Sequence, residues 1–303
     1  MAINTLTFAS KLTEELDKVF VQAPVTGFLA DNVLRAKFVG AKTVLIPELG
    51  MSGLADYDRD TGFTRGAISV SNTAVTMSMD RARSFQIDRE DDDETGIAGL
   101  AGQVLGEFVR TKVVPEVDAY VLSKLAGLAV TKSHTVSGTP ASEAYKMFST
   151  AVSNVQDKVG YEEPLVCFVG KDFYTALQNS AEFSRYMIVS DFKKGELCTK
   201  VRTINDVAIL PVSNERMKTA YTFYDGVTSG EEAGGFVPTS TAKTIGMLVM
   251  PKKAASLVKK TEKIRTFTPD QNQDADAYKL DYRAYYDVFV KNSMSDAIYA
   301  YVA

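Results

Sequence analysis

The chain has 303 residues, 45% of them hydrophobic and 24% charged, with a net charge of −4. That balance excludes a disordered or collagen-like polypeptide, and the negative sign argues against an affinity built on neutralising many phosphates. Two cysteines and one histidine exclude disulfide scaffolds, zinc fingers and multi-histidine metal sites.

In chain order, the first expected element is a helix over 10–20, where Leu12, Leu16, Val19 and Phe20 recur at helical spacing until Pro24 stops it. The residues before it show no basic start with a long apolar core, as a secretory signal would. No apolar run anywhere approaches the roughly 18 to 20 residues of a membrane span. A strand follows over 41–46, ended by Pro47. The stretch 47–66 reads as a loop, with Gly50, Gly53, Gly62 and Gly66 around a polar run at 56–61. From Val75 to Ile87 apolar and polar residues alternate, which is strand periodicity. The two strands and their loop read as one long hairpin arm. An isolated two-stranded ribbon is barely stable in water, so its apolar face is expected to rest on the body or on another subunit.

The pattern then changes to helical. The acidic run 88–94 leads into Ile97, Leu100, Ala101, Val104, Leu105 and Phe108, and the periodicity continues to about residue 125. Asp91 or Asp93 is placed to cap this helix, and Glu94 stands at capping-box spacing from Asp91. Pro115 is expected to kink it, and Glu107 with Arg110 and Lys112 with Glu116 to pair on its surface. Beyond a polar stretch at 131–140, a helix is expected over 142–159, a strand over 165–169 and a helix over 172–179. Further strands are expected over 207–210, 221–224 and 244–250. That alternation indicates a mixed α/β unit over about 135–245. The clearest strand comes last: Tyr278, Leu280, Tyr282, Ala284, Tyr286 and Val288 share one face, with Lys279, Asp281, Arg283 and Asp287 opposite.

Candidate chemistry is sparse. The acidic run could gather a hard cation, but it lacks EF-hand spacing and is better explained as a helix start. A metal-dependent hydrolase built on it is weakened by the scarcity of histidine. His134, the only histidine, lies in a polar turn-rich stretch with no Gly-x-Ser-x-Gly elbow in the chain, and is expected at the surface. Cys167 falls in an apolar strand, and Cys198 has no CxxC partner. The segment 169–172 superficially matches a phosphate loop but lacks the upstream glycine and the Ser or Thr after Lys171, so it reads as a strand-to-helix turn. Lys252, Lys253, Lys259, Lys260, Lys263 and Arg265 form a basic cluster. Without interleaved aromatics it reads as a solvated or inter-subunit face rather than a nucleic-acid site.

What remains is shape, and here a resemblance enters. The run MDRARSFQID at 79–88, followed by DDET at 92–95, AGQVLGEF at 101–108 and KVVPEVDAY at 112–120, resembles the end of the extended loop running into the spine helix of tailed-bacteriophage major capsid proteins with the Hong Kong 97-type fold. The closing DYRAYYDVFV at 281–290, with Ala297, Ile298 and Tyr299, is similar to their C-terminal strands. The resemblance implies an α+β fold with four parts. These are an N-terminal arm with the first strand (1–43), an extended β-hairpin loop (44–87), a peripheral domain (88–134 and 246–287, spine helix 94–125) and an axial α/β domain (135–245 and 288–303). It implies a structural protein, not an enzyme, with no cofactor and no metal, assembling as hexamers and pentamers into an icosahedral shell around double-stranded DNA held without sequence specificity. Implied partners are further copies of itself, a portal protein, a separate scaffolding protein and a decoration protein, with no membrane. The implied location is the virion, after assembly in the host cytoplasm. Inter-subunit contacts are expected at Leu12, Leu16, Phe20, Tyr57, Arg59, Asp60, Phe63, Arg65, Arg81, Arg83, Asp270 and Asp274. An encapsulin-like cage of the same fold, storing cargo enzymes, is the alternative. Two departures bear on assembly. No lysine lies between Thr43 and Thr111, so the lysine crosslink of the type member cannot form from this loop. No long extension precedes the arm, so scaffolding is expected from a separate protein or not at all.

Overall fold

A computed structural model describes residues 22–31, 37–39, 42–90, 101–180, 187–194 and 197–303. The expected leading helix with Leu12, Leu16 and Phe20, and the cap residues Asp91, Asp93 and Glu94, lie outside these residues.

Strands β1 (Lys37–Val39), β2 (Thr43–Met51) and β3 (Ile68–Thr76) form an antiparallel sheet in that order. The β2–β3 ladder runs from Thr43 opposite Thr76 to Met51 opposite Ile68. The strand expected to stop at Pro47 therefore continues to Met51. β1 reaches only Leu45, so beyond it that side of β2 has no strand partner among the described residues and a missing N–H breaks no ladder.

The alternating run at 75–87 is two strands, not one. It breaks at Met77 and Ser78, and β4 (Met79–Asp88) leaves the hairpin to pair with β13 (Ala277–Val290). β13 lies between β4 and β12 (Ala255–Phe267), so the second half of the expected arm belongs to the body. Period-2 patterning shows which residues are extended, not which sheet they join.

Next come α1 (Ala101–Phe108), a π-turn (Val109–Val113) and α2 (Val114–Thr131), which extends six residues past the expected end. Pro115, expected as a kink, stands in the first turn of α2. The turn before it is widened, with the Val114 N–H bonding to the Val109 carbonyl five residues back. α2 is buried nearly all round, including Val121, Leu122 and Leu125, each fully covered and worth roughly 1.5–3 kcal/mol.

α3 (Pro140–Val159) begins two residues before its expected start, with proline in its first turn. β5 (Leu165–Gly170), α4 (Lys171–Asn179), β6 (Met187–Lys194), β7 (Leu197–Ile204), β8 (Val207–Val212), the short β9 (Tyr221–Phe223) and β10 (Phe236–Pro238), β11 (Ile245–Pro251) and β14 (Tyr299–Val302) complete the chain. Six of these strands form one sheet in the order β14-β11-β5-β8-β7-β6, with β5 and β8 parallel. One face packs on α3 and α4 through Phe148, Val155, Cys167 and Phe173, the other on α2 through Phe168 and Leu248. Burial on both faces explains why Leu165 to Gly170 is apolar throughout. β11 is an inner strand of this sheet, between β14 and β5, and the chain passes to the three-stranded sheet after Pro251.

Candidate assembly surface

Among the described residues the arm is fastened at its root. At its root Val44 and Met77 are buried against Tyr285 and Phe289 of β13, with Ile46, Val75 and Val258 around them. The Tyr285 hydroxyl donates to the Met77 carbonyl at 3.2 Å. Glu48 accepts from Thr73 and from Asn292 Nδ2. Past that point Leu49, Met51, Leu54, Ile68 and Val70 are all exposed.

The tip is built rather than loose. Ser52 N–H donates to the Ala67 carbonyl at 3.0 Å, and Gly62 N–H to the Asp58 carbonyl at 2.8 Å. The Asp58 carboxylate accepts from the N–H groups of Asp60 (2.7 Å) and Thr61 (3.3 Å), and these backbone donors hold its pKa below the ordinary value. Gly62 takes φ +79°, open to glycine at no steric cost. The rings of Tyr57 and Phe63 meet edge-on, 4.9 Å between centroids, while Phe63 remains 88% exposed.

Of the twelve expected contact residues, Tyr57, Arg59, Asp60, Phe63 and Arg65 share this tip. Arg81 and Arg83 do not: both sit on β4 and are engaged within their own chain. Arg81 grips Glu116 at 2.6 Å and the carbonyls of Tyr224 and Gly235, and Arg83 grips the Glu232 carbonyl. They hold the 224–235 loop over a cavity of about 320 Å³ lined by Phe85, Phe108 and Tyr286. Glu116 is thus taken by Arg81 rather than by the expected Lys112, whereas Glu107 and Arg110 pair as expected at 2.5 Å. Asp270 and Asp274 lie elsewhere, in the exposed turn between β12 and β13, with Asp274 bonded to Lys279 at 3.0 Å.

Two buried ionic clusters escaped the sequence reading. Asp118 on α2 meets Arg216 at 2.8 Å. It also accepts from the N–H groups of Val25 (3.0 Å) and Thr26 (3.1 Å), while Arg216 donates to the Gln22 carbonyl at 2.8 Å. This clamp fixes the point from which residues 1–21 depart. Asp287, expected on the polar face of β13, is fully buried. It accepts from Lys124 Nζ (2.5 Å), the Tyr120 hydroxyl (2.7 Å) and the Ser78 N–H (3.0 Å), bolting the arm's root to α2. Burial pushes the Tyr120 hydroxyl pKa well above its usual value. A signal for Asp118 was present: a helix apolar all round is a buried helix, so a charge within it needs a partner.

Cys167 is buried, which pushes its thiol pKa up. Lys171 begins α4, its N–H donating to Asn214 Oδ1 at 3.0 Å. His134 is half-buried rather than at the surface, stacked on Tyr299 with ring centroids 4.8 Å apart. The basic cluster is largely strand β12, where Lys259 pairs with Glu262 at 2.8 Å. Among the described residues no three His, Cys, Asp or Glu side chains converge as a metal site, and no helix is long and apolar enough to cross a membrane.

No protein-family model matches the sequence, and no curated protein matches it. Solved structures do match along nearly the whole chain. The capsid structure of cyanophage P-SCSP1u covers 98% of this chain and 93% of its own, at TM-score 0.62 and 16% identity. The mature capsid of bacteriophage PhiM1 covers 98% and 92%, at TM-score 0.60 and 12% identity. A structure from Mycobacterium phage Che8 covers 99% and 98%, at TM-score 0.58 and 11% identity. The chain has the fold of tailed-phage capsid proteins.

Proposed function

We propose, from that fold, that this chain is the major capsid protein of a tailed phage. It assembles as hexamers and pentamers into an icosahedral shell that encloses double-stranded DNA and performs no catalysis. The observation that carries the reading is the arm, an ordered hairpin anchored at its root whose distal apolar side chains have no cover among the described residues. In a closed shell each subunit is held by several symmetric interfaces at once, so modest contacts suffice. The arm lies across a neighbouring copy, where Tyr57, Phe63 and Leu54 find that cover. Acidic net charge suits a container that encloses DNA rather than gripping it. With no lysine in the arm, the shell is held without covalent bonds from this loop. Scaffolding, portal and decoration proteins complete the particle, assembled in the host cytoplasm.

Sedimentation and negative-stain microscopy of the concentrated protein test the reading. Closed shells containing nuclease-resistant DNA in infected cells support it. Cages filled with enzyme cargo instead of DNA would favour an encapsulin-like container, and a subunit that stays monomeric at all concentrations would end both.

A further inference from the structure

We propose that the cavity beneath the 224–235 loop is a ligand site, and that it takes a small aromatic carboxylate. The proposal goes beyond the function argued above and does not depend on it.

Three parts of the chain enclose this cavity of about 320 Å³. β4 and β13 form its floor, with Arg83 opposite Tyr282 and Arg81 opposite Ala284. The helical stretch 108–116 forms one wall and the 224–235 loop the other. The volume lies at the lower end of small-molecule sites. Floor and wall meet in a run of aromatic rings. Phe85 stands edge-on to Phe108 with 5.0 Å between centroids, and Phe108 edge-on to Tyr282 at 5.8 Å. Protein interiors ordinarily close such spaces, because a gap forfeits dispersion contacts on its whole lining. Here the loop wall is made of Gly226, Ala233, Gly234 and Gly235, which bring backbone rather than bulk to the cavity. A Cβ on Gly226 would stand 3.1 Å from Arg83 Nη1. On the helix side, Lys112 and Val113 belong to the widened turn, a distortion frequent at functional sites.

The polar groups left over in the lining define the ligand. Tyr286 lines the cavity and is 2% exposed, yet its hydroxyl has no hydrogen-bond partner among the described residues. A buried hydroxyl without an acceptor is costly, and a ligand oxygen would supply one. The charged groups nearest to it, Arg81 and Glu116, are spent on each other. Tyr282, by contrast, gives its hydroxyl to Glu262 at 3.1 Å. Lys112 and Arg83 have no acidic partner among the described residues; Arg83 grips only the Glu232 carbonyl. Of the two acids in the lining, Glu116 is held by Arg81. Asp225 is saturated by the Val227 N–H, the Thr228 N–H and the Thr228 hydroxyl. The charge that remains is therefore positive, beside an aromatic wall and an idle donor. A flat ring bearing a carboxylate answers all three: ring against ring, negative charge near Lys112 and Arg83, and oxygen for Tyr286. An aromatic side chain from another protein would fill the space but leave both cations without a counter-charge.

Calorimetric titration of the full chain with three probes of one shape tests this: 2-naphthoate, the neutral 2-naphthamide and the cationic 2-naphthylmethylammonium. Naphthoate should bind once per chain, naphthamide several-fold more weakly, and the ammonium not at all. Lys112→Gln, at an exposed position, should weaken naphthoate by about twofold to fivefold and leave naphthamide unchanged. Tyr286→Phe should weaken both by about threefold to tenfold. It removes only a hydroxyl that bonds nothing, so the variant's unfolding midpoint in urea should not fall. A drop in that midpoint would mean the hydroxyl already has a partner, and would overturn the proposal. No binding of naphthoate, or equal binding of all three probes, overturns it too. So does naphthoate binding untouched by both variants, which would place the site elsewhere. Binding by dispersed subunits that vanishes in assembled shells would mean that a side chain of another copy takes the space, against a small-molecule site.

Discussion

The Asp118 carboxylate and the Arg216 guanidinium meet at 2.8 Å with side chains only 1% and 4% exposed. Neither charge has water to fall back on, so each depends on the other and on the backbone of residues 22–26. Removing one member of a buried pair leaves an uncompensated charge, at a cost of about 3–5 kcal/mol. Arg216→Met should therefore lower the stability of the isolated subunit by about that amount in urea. Asp118→Leu combined with Arg216→Met should recover part of the loss. A single variant within about 1 kcal/mol of wild type would show that the pair is not isolated from solvent.

The Asp287 cluster makes a local prediction. Asp287→Asn removes the charge that Lys124 faces while keeping its shape, so it should destabilise the subunit by several kcal/mol. It should also raise hydrogen exchange at Ser78 and along residues 43–51 more than in α3, because the bond lost is the one tying the arm's root to α2. Uniform acceleration across the fold would count against a lock at the root.

Acid sensitivity follows from four carboxylates, Asp58 at the tip among them. The Thr228 and Val227 N–H groups hold Asp225 at about 2, from an ordinary 3.8. Arg283 holds Asp80 down by a bidentate hydrogen bond, and Lys132 holds Asp296 down by a single one. A carboxylate whose folded pKa is depressed contributes stability that is present above its unfolded value and disappears as pH falls through the folded one. Stability should thus be level above about pH 5 and decline toward pH 2. Asp225→Asn should flatten the lowest part of that decline in a pH series of thermal unfolding. An unchanged profile would remove Asp225 from the account.

At the arm, stability and assembly should separate. Phe63→Ser and Leu54→Ser change side chains that touch little of their own subunit, so the isolated chain's unfolding free energy should stay within about 0.5 kcal/mol of wild type. Shell formation should require several-fold more protein, read by light scattering. A fall in subunit stability would mean these side chains already have cover.

Much of the body was legible in sequence. Val152, Val155 and Leu165 to Val169 lie where periodicity put them, because a buried face leaves a direct mark on residue order. β12 was missed because Lys259, Lys260 and Lys263 look like a solvated patch. Their extended pairing with β13 is set by a partner some twenty residues away. The join at Met77 and Ser78 was invisible, since strands of two sheets alternate in the same way. Asp287 looked like any outward polar residue of β13. Only the arrival of Ser78, Tyr120 and Lys124 from distant parts of the chain makes it interior. At the tip the composition was readable, but the Asp58 turn that presents Tyr57 and Phe63 together was not.

Cryo-electron microscopy of the purified chain at assembling concentration bears most directly on the central claim, that the distal arm is completed by another copy. Closed shells with residues 52–67 seated on an adjoining subunit are the predicted result. Separate particles in which those residues fold back onto their own body would contradict it.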